Sequence, residues 1–223
     1  MRQNPSFAMT DVAELRRIIA ANPWATLVGR DENGMTASHY AVLLDPDRDD
    51  LTVVGHVGRP DDIVLGLGAQ ELLVVFQGPH GYISPGWYGD VAAVPTWNYV
   101  AVHLSGTPEL LDAEENLRVL DHLVDHFESR LADPRGMWAP PNDAAFVRRL
   151  EAGTIGFRLT PTRVAAKRKL SQNKPDEVIE NVILELSGDG EYAEPRLAAE
   201  MRRAHDARLA ARDAATAAPA AER

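Results

Sequence analysis

Cysteine is absent from this sequence. That excludes disulfides, thiolate metal sites, iron–sulfur clusters and a cysteine nucleophile. Long hydrophobic runs are missing as well. The longest strictly aliphatic or aromatic run is Leu72–Phe76, too short for a membrane-spanning helix. The first residues, MRQNPSFAMTDVAEL, have no apolar h-region, so no secretory signal is expected and a cytoplasmic location follows. Positive charge is scarce: Lys plus Arg number 23 against 33 Asp plus Glu, a net charge of −10. Affinity for duplex DNA rests largely on Lys and Arg releasing counterions from phosphates, so direct DNA binding is not expected. No phosphate-loop lysine motif and no Gly-x-Ser-x-Gly elbow occur. Gly66-Leu-Gly68 begins like a dinucleotide fingerprint, but Glu71 stands where Gly or Ala is needed.

What is present is an ordinary globular composition, 45% hydrophobic and 25% charged over 223 residues, long enough for a sizeable core. Apolar periodicity predicts a first helix over Val12–Ala21 with Thr10 as a plausible N-cap. Trp24–Arg30 and Met35–Leu44 read as strands joined at Asn33-Gly34, a strong hairpin signal. Leu51–Val57 reads as the third strand of an antiparallel meander. Arg59–Gly68 reads as a short helix with Pro60 at its first position. Glu71–Gln77 reads as a buried strand, Gly78–Pro95 as a structured loop, and Trp97–Leu111 as a long strand bent near Pro108. Helices follow at Asp112–Leu131 and Asp143–Ala152, then strands at Gly153–Thr160 and Arg163–Lys169. Pro175–Leu186 and Pro195–Arg208 read as helices. The Ala-rich end lacks a core face and is expected to fray. The pattern implies an α+β fold: a six- to seven-stranded antiparallel barrel with peripheral helices. Residues 1–187 form the domain, and 188–223 a C-terminal helix and tail.

Three features carry chemistry. His122 and His126 are four apart on a helix, a metal-capable spacing. They point away from the apolar stripe and no Glu follows His122, so an exposed helix face is the favoured reading and no metal is expected. Residues 76–103, FQGPHGYISPGWYGDVAAVPTWNYVAVH, hold Trp87, Trp97, three tyrosines and two histidines. This composition suits a pocket for a planar heterocycle, and equally an aromatic mini-core under a loop. Lys167-Arg-Lys-Leu-Ser-Gln-Asn-Lys174 gathers four cations with a hydroxyl and two amides. It suits a phosphate, or reads as a solvated basic turn.

At FQGPHGYISPGWY, VPTWNYVAVH and KLSQNK the sequence resembles the PaiB family of FMN-binding negative transcriptional regulators, from about Ala8 to about Glu185. The resemblance implies an FMN-binding split barrel of the pyridoxamine-phosphate-oxidase type. It also implies a homodimer with flavin at the subunit interface and an indirect link to transcription. The cofactor-binding candidates it implies are Ser38, His39 and His56, with Gln77, His80, Tyr82, Ser84 and Trp87. Trp97, Asn98 and His103 follow, then Lys169, Ser171, Gln172 and Asn173. One departure stands out. Many members continue the His56 motif with Asn-Pro-x-Trp, whereas this chain reads GRPDDIVLGLG. The resemblance reaches a haem-dependent branch too, the piperazate synthases, for which His56 is the axial-ligand candidate on a haem b. The favoured reading of His56 is a hydrogen-bonded strand histidine.

Two function classes follow: a regulatory flavoprotein, or a flavin- or haem-dependent oxidoreductase acting on a small substrate. No residue pair stands out as a dedicated acid–base couple. Flavin carries its own redox chemistry, so that lack does not separate the two.

Overall fold

The computed structural model describes residues 1, 4–31 and 33–217. The Asp11 carboxylate accepts the Glu14 N–H at 3.0 Å, so Asp11 rather than Thr10 caps α1 (Val12–Ala21). Leu15, Ile18 and Ile19 form its buried face. β1 (Trp24–Asp31) and β2 (Gly34–Leu44) pair antiparallel from Asp31↔Gly34 to Trp24↔Ala41. Gly34 sits at φ 130 in that turn, a conformation other residues rarely adopt. β2 pairs β3 (Val53–Gly58), which completes the meander. The helix expected over Arg59–Gly68 is shorter: α2 covers only Asp61–Val64, and Pro60 precedes it at the N-cap.

The loop expected at 78–95 is partly strand. β4 runs from Leu72 through Ile83, followed by a 3-10 turn at Pro85–Tyr88. Its glycines permit close approach rather than breaking the strand. A Cβ on Gly78 would lie 3.1 Å from the Val100 Cβ, and one on Gly81 3.0 Å from a Leu197 methyl. β5 (Thr96–Gly106) ends before Pro108, and Glu109–Leu110 forms a separate two-residue strand, β6. β7 (Thr154–Leu159) and β8 (Arg163–Lys169) complete the sheet. The strand order is β6-β7-β3-β2-β1-β4-β5-β8. The fold is α+β and of split-barrel type, as expected, with eight strands instead of six or seven because the Pro108 break releases β6.

The residues fall into two groups. One comprises Met9–Gln77 and Ala101–Ala166. Here α3 (Ala113–Glu128) is capped by Asp112, which accepts the Glu115 N–H at 2.9 Å. Val119 and Leu123 of α3 pack with Leu43, Val54 and Leu111. Leu117 packs with Met137 and with Val147 of α4 (Ala144–Ala152). Asp45, 3% exposed, receives Arg158 of β7 at 2.8 Å. The second group comprises Gly78–Val100 with the described parts of 2–8 and 167–223. α5 (Asp176–Ser187) buries Val178, Ile179, Val182, Ile183 and Leu186. α6 (Pro195–Ala217) buries Leu197, Ala198 and Met201. The helix extends well past Arg208, through much of the segment expected to fray. Alanine is the best helix former, which sustains these solvent-facing turns. The rest of that expectation, residues 218–223, lies outside the described residues.

Candidate functional site

In the second group, the aromatic stretch forms an exposed surface. His80 and Tyr82 leave β4 near Trp97 of β5. The His80 and Trp97 rings stack with centroids 6.3 Å apart and planes at 25°. Tyr82 meets Trp97 edge-on at 6.4 Å and Tyr192 at 4.7 Å. Trp97 remains 55% exposed, so this is a surface and not a closed mini-core. Trp87 lies half-buried in the 3-10 turn, whose first free N–H, on Gly86, is capped by Ser84 at 3.2 Å.

The basic turn is divided in its roles. The Lys169 ammonium donates to the Thr96 hydroxyl, beside Trp97. Burial, and then repulsion from Lys167, lower its pKa. Ser171 is turned inward at φ 59 and is 4% exposed. Its hydroxyl accepts from the Asn98 amide at 2.9 Å and approaches the Tyr88 hydroxyl at 3.5 Å. Gln172 staples the turn: its Oε1 accepts the Leu170 N–H at 2.7 Å, and its Nε2 donates to the carbonyls of Arg168 at 2.6 Å and Ser6 at 3.1 Å. Asn173 is exposed at the tip. Lys167 lies over the Tyr99 and Phe7 rings at 5.6 and 5.8 Å, and Lys174 over Tyr88 at 5.0 Å. The fold therefore joins His80, Tyr82 and Trp97 in one set, and Asn98 with Ser171 in another.

The first group holds the remaining candidates. The Ser38 and Tyr40 hydroxyls both donate to Asp61 Oδ2, at 2.9 and 2.8 Å, and the Gly58 N–H donates to Tyr40 at 3.2 Å. Burial, then the carboxylate of Asp61, raise the Tyr40 pKa. His39 faces solvent and stacks with Trp24 at 6.4 Å. Gln77 is exposed on β4. His103 is half-buried on β5, with its pKa lowered chiefly by burial.

His56 lies on β3 as expected but is not the hydrogen-bonded residue the sequence favoured: its Nδ1 is buried without a partner. The nearest ring is that of Tyr40, edge-on at 6.3 Å. His56 contributes to a cavity of about 400 Å³ whose walls include Leu120, Leu123, Val124, Met137 and Leu150. In the strand pairing His56 lies opposite Gly156, which has no side chain to offer it a partner. The cavity is mostly aliphatic, with Arg135 and Asn142 also in its wall, and none of these residues is hydrogen-bonded to His56 Nδ1. Burial lowers the His56 pKa below its ordinary 6.5.

Tyr40 and Asp61 were missed by sequence reasoning because 21 positions separate them. The Trp24–His39 contact had a signal. The Asn-Gly turn sets the register, and that register places Thr26 opposite His39 with Trp24 diagonal to it.

Comparison with known proteins shows the family and the fold. Residues 1–163 match the family described as "Putative FMN-binding domain", and the chain belongs to that family. It is similar to the "Protease synthase and sporulation protein PAI 2" of Bacillus subtilis (strain 168), with 30% identity over 185 residues, covering 82% of this chain and 87% of that one. In fold it is similar to the flavocytochrome Anf3 of Azotobacter vinelandii (TM-score 0.57, 17% identity, 76% of this chain and 72% of that one). It is likewise similar to a FAD and haem binding protein of Mycobacterium smegmatis (TM-score 0.57, 18% identity, 78% of each chain).

The half-buried His56 ring, with its Nδ1 buried, makes a signed prediction. The folded chain resists protonating it, so as pH falls through 6.5 the unfolded chain takes the proton first. The stability tied to the neutral ring is complete above that pH and is lost as the pH falls toward the lower folded value. His56→Phe should flatten stability against pH between about pH 7 and pH 5, measured by urea unfolding. The part due to His103 and His126, also lowered chiefly by burial, should remain. An unaltered slope would show that His56 is not protected from protonation.

Proposed function

We propose that this protein is a homodimeric, FMN-binding regulatory protein. Its flavin ring would rest on the Trp97–His80–Tyr82 surface and its phosphate at the basic turn. The supporting observation is the state of the turn's lysines. Among the described residues, Lys167, Lys169 and Lys174 are held by rings and a hydroxyl and not by carboxylates. In a chain of net charge −10, an uncompensated cluster of this kind is a place for an anion. Lys169 sits beside Trp97 through Thr96, so ring and charge are neighbours. Asn98, Ser171 and Gln172 would then shape the turn, with Asn173, Ser84 and Trp87 at its margins. Ser38, His39, Gln77 and His103 remain cofactor candidates on the resemblance, and the resemblance to FMN-binding negative transcriptional regulators carries the regulatory reading. The net charge favours action through another protein over direct promoter contact.

Lys169→Ala should weaken FMN by roughly 10- to 100-fold, the range for one charge-assisted hydrogen bond. Riboflavin, which lacks the phosphate, should lose little. Flavin fluorescence titration measures both, and an equal loss would assign the turn a structural role only.

The dimer reading draws on the outward face of β1 and β2. Trp24 is 65% and Met35 74% exposed, with Ala37 and His39 on the same side. Contiguous apolar surface of this kind marks an interaction face. Sedimentation velocity should show a dimer for the flavin-bound protein and a monomer for Met35→Asp; a flavin-bound monomer would sink this reading.

A second reading is favoured by His56. A buried, unpartnered imidazole nitrogen against an aliphatic cavity fits a haem iron ligand, and a haem group would supply electron-transfer or O₂ chemistry. Here the protein would be an oxidoreductase. The visible spectrum of the purified protein distinguishes the cases. A Soret band lost in His56→Ala would establish haem, while flavin bands that survive the same change would leave His56 a minor role.

A further inference from the structure

A second cavity shares only Gln172 with the residues of the flavin reading and none with the haem reading. It measures about 210 Å³ and lies wholly within the second group of residues. Its apolar wall comes from Ala8, Leu170, Ile179, Met201 and Ala204, and its polar wall from Arg168, Arg208, Gln172, His205 and Ser6. Five separate stretches of chain contribute: the N-terminal turn, the end of β8, the basic turn, α5 and α6.

Arg208 is the informative residue. Its Nη1 donates to the Gln172 carbonyl at 3.3 Å. Its Nη2 donates to Asp176 and approaches His205 Nδ1 at 3.2 Å. His205, 4% exposed, faces Glu180 with its other nitrogen at 3.3 Å. With Nδ1 accepting from Arg208, the proton sits on Nε2 and is donated to Glu180. The guanidinium is therefore fixed on two sides. Its Nε–H is buried and has no acceptor among the described residues. A buried donor left unmade is costly and calls for an acceptor. Asp176 is shared between Arg208 and Arg212, Arg202 pairs with Glu180 and Asp206, and Arg168 also lines the cavity.

We infer that this cavity is a binding site for a small organic carboxylate with a short apolar tail. The carboxylate would lie against the Arg208 side chain and near Arg168, with its tail against Leu170, Ile179, Met201 and Ala204. Guanidinium groups match carboxylates in shape and donor direction. The aliphatic wall distinguishes such a ligand from a fully hydrated inorganic anion, because burying the tail removes apolar surface from water. Arg208 also donates to the carbonyl of Gln172, whose side chain staples the basic turn. Occupancy would therefore be felt at the turn that carries Lys169, and the site has the character of an effector pocket.

The test is isothermal titration calorimetry on the full chain with hexanoate, hexanamide and inorganic phosphate. Hexanoate should bind saturably, with the neutral amide and the tail-less phosphate each weaker by about tenfold or more. Arg168→Gln should weaken hexanoate by a similar factor. Ala204→Phe, which fills the cavity and leaves every charge in place, should abolish binding while circular dichroism shows the fold intact. Equal affinity for hexanoate and hexanamide would overturn the role of the arginines. Equal affinity for phosphate would overturn the role of the apolar wall. Binding that survives Ala204→Phe, or no saturable binding of hexanoate to the unaltered chain, would overturn the site itself.

Discussion

The side chain of Asn98 is wholly buried, and its hydrogen bond to Ser171 organises the residues around it. A buried amide must find partners or its desolvation destabilises the fold by a few kcal/mol. Asn98 finds them in the Ser171 hydroxyl and, at 3.4 Å, the Met201 sulfur. To present that hydroxyl inward, Ser171 adopts φ 59, the left-handed conformation that L residues normally avoid. The turn then cannot continue β8. It reverses into α5, leaving Lys169 beside Trp97 and sending the Gln172 carbonyl to Arg208. One polar contact between a strand and a turn thus fixes where the lysines stand and anchors one side of the arginine-lined cavity.

The first group of residues shows the opposite economy. Its buried charge, Asp45, is paired with Arg158, and the half-buried hydroxyls of Ser38 and Tyr40 converge on Asp61. His56 Nδ1 differs from these, and shares its lack of a partner with Asp62 Oδ1 and Asn116 Oδ1 in the same group. What sets His56 apart is the cavity it lines. A buried polar atom without a partner costs stability. Such a loss is retained most readily where the group has a ligand to meet. The same reasoning applies to Arg208 Nε in the second group.

Much of the fold was legible because its signals are local. The Asn33-Gly34 turn gave the β1–β2 register. The apolar run Leu72–Phe76 gave the heart of β4, and periodicity gave α3 and α5. The failures have physical causes. Gly78 and Gly81 look like loop residues in sequence, but they serve close packing against Val100 and Leu197, which only the tertiary arrangement shows. The basic turn was visible as a cluster. Its inward-turned Ser171 and self-stapled Gln172 were not, since composition does not tell which way a side chain faces. His56 was legible as a candidate but not as unpartnered, because that depends on what α3 and the 135–142 loop bring over it. The arginine-lined cavity was invisible, since no motif spans residues as distant as Ser6 and Arg208.

The distribution of positive charge separates the two sets of cations. In α6 and its neighbourhood, Arg202, Arg203 and Arg212 each face a carboxylate, from Glu180, Glu200 and Asp176. Such pairs at a surface contribute little stability individually, but they cancel field. In the basic turn the lysines rest on Phe7, Tyr99 and Tyr88. A ring face holds an ammonium by its quadrupole without neutralising it. The lysine side chains are thereby ordered while their charge still reaches outward. Burial, and then repulsion from Lys167, lower the Lys169 pKa, so bringing these groups together is unfavourable for the chain alone. An anion bound there would relieve that repulsion, and binding would in turn stabilise the turn.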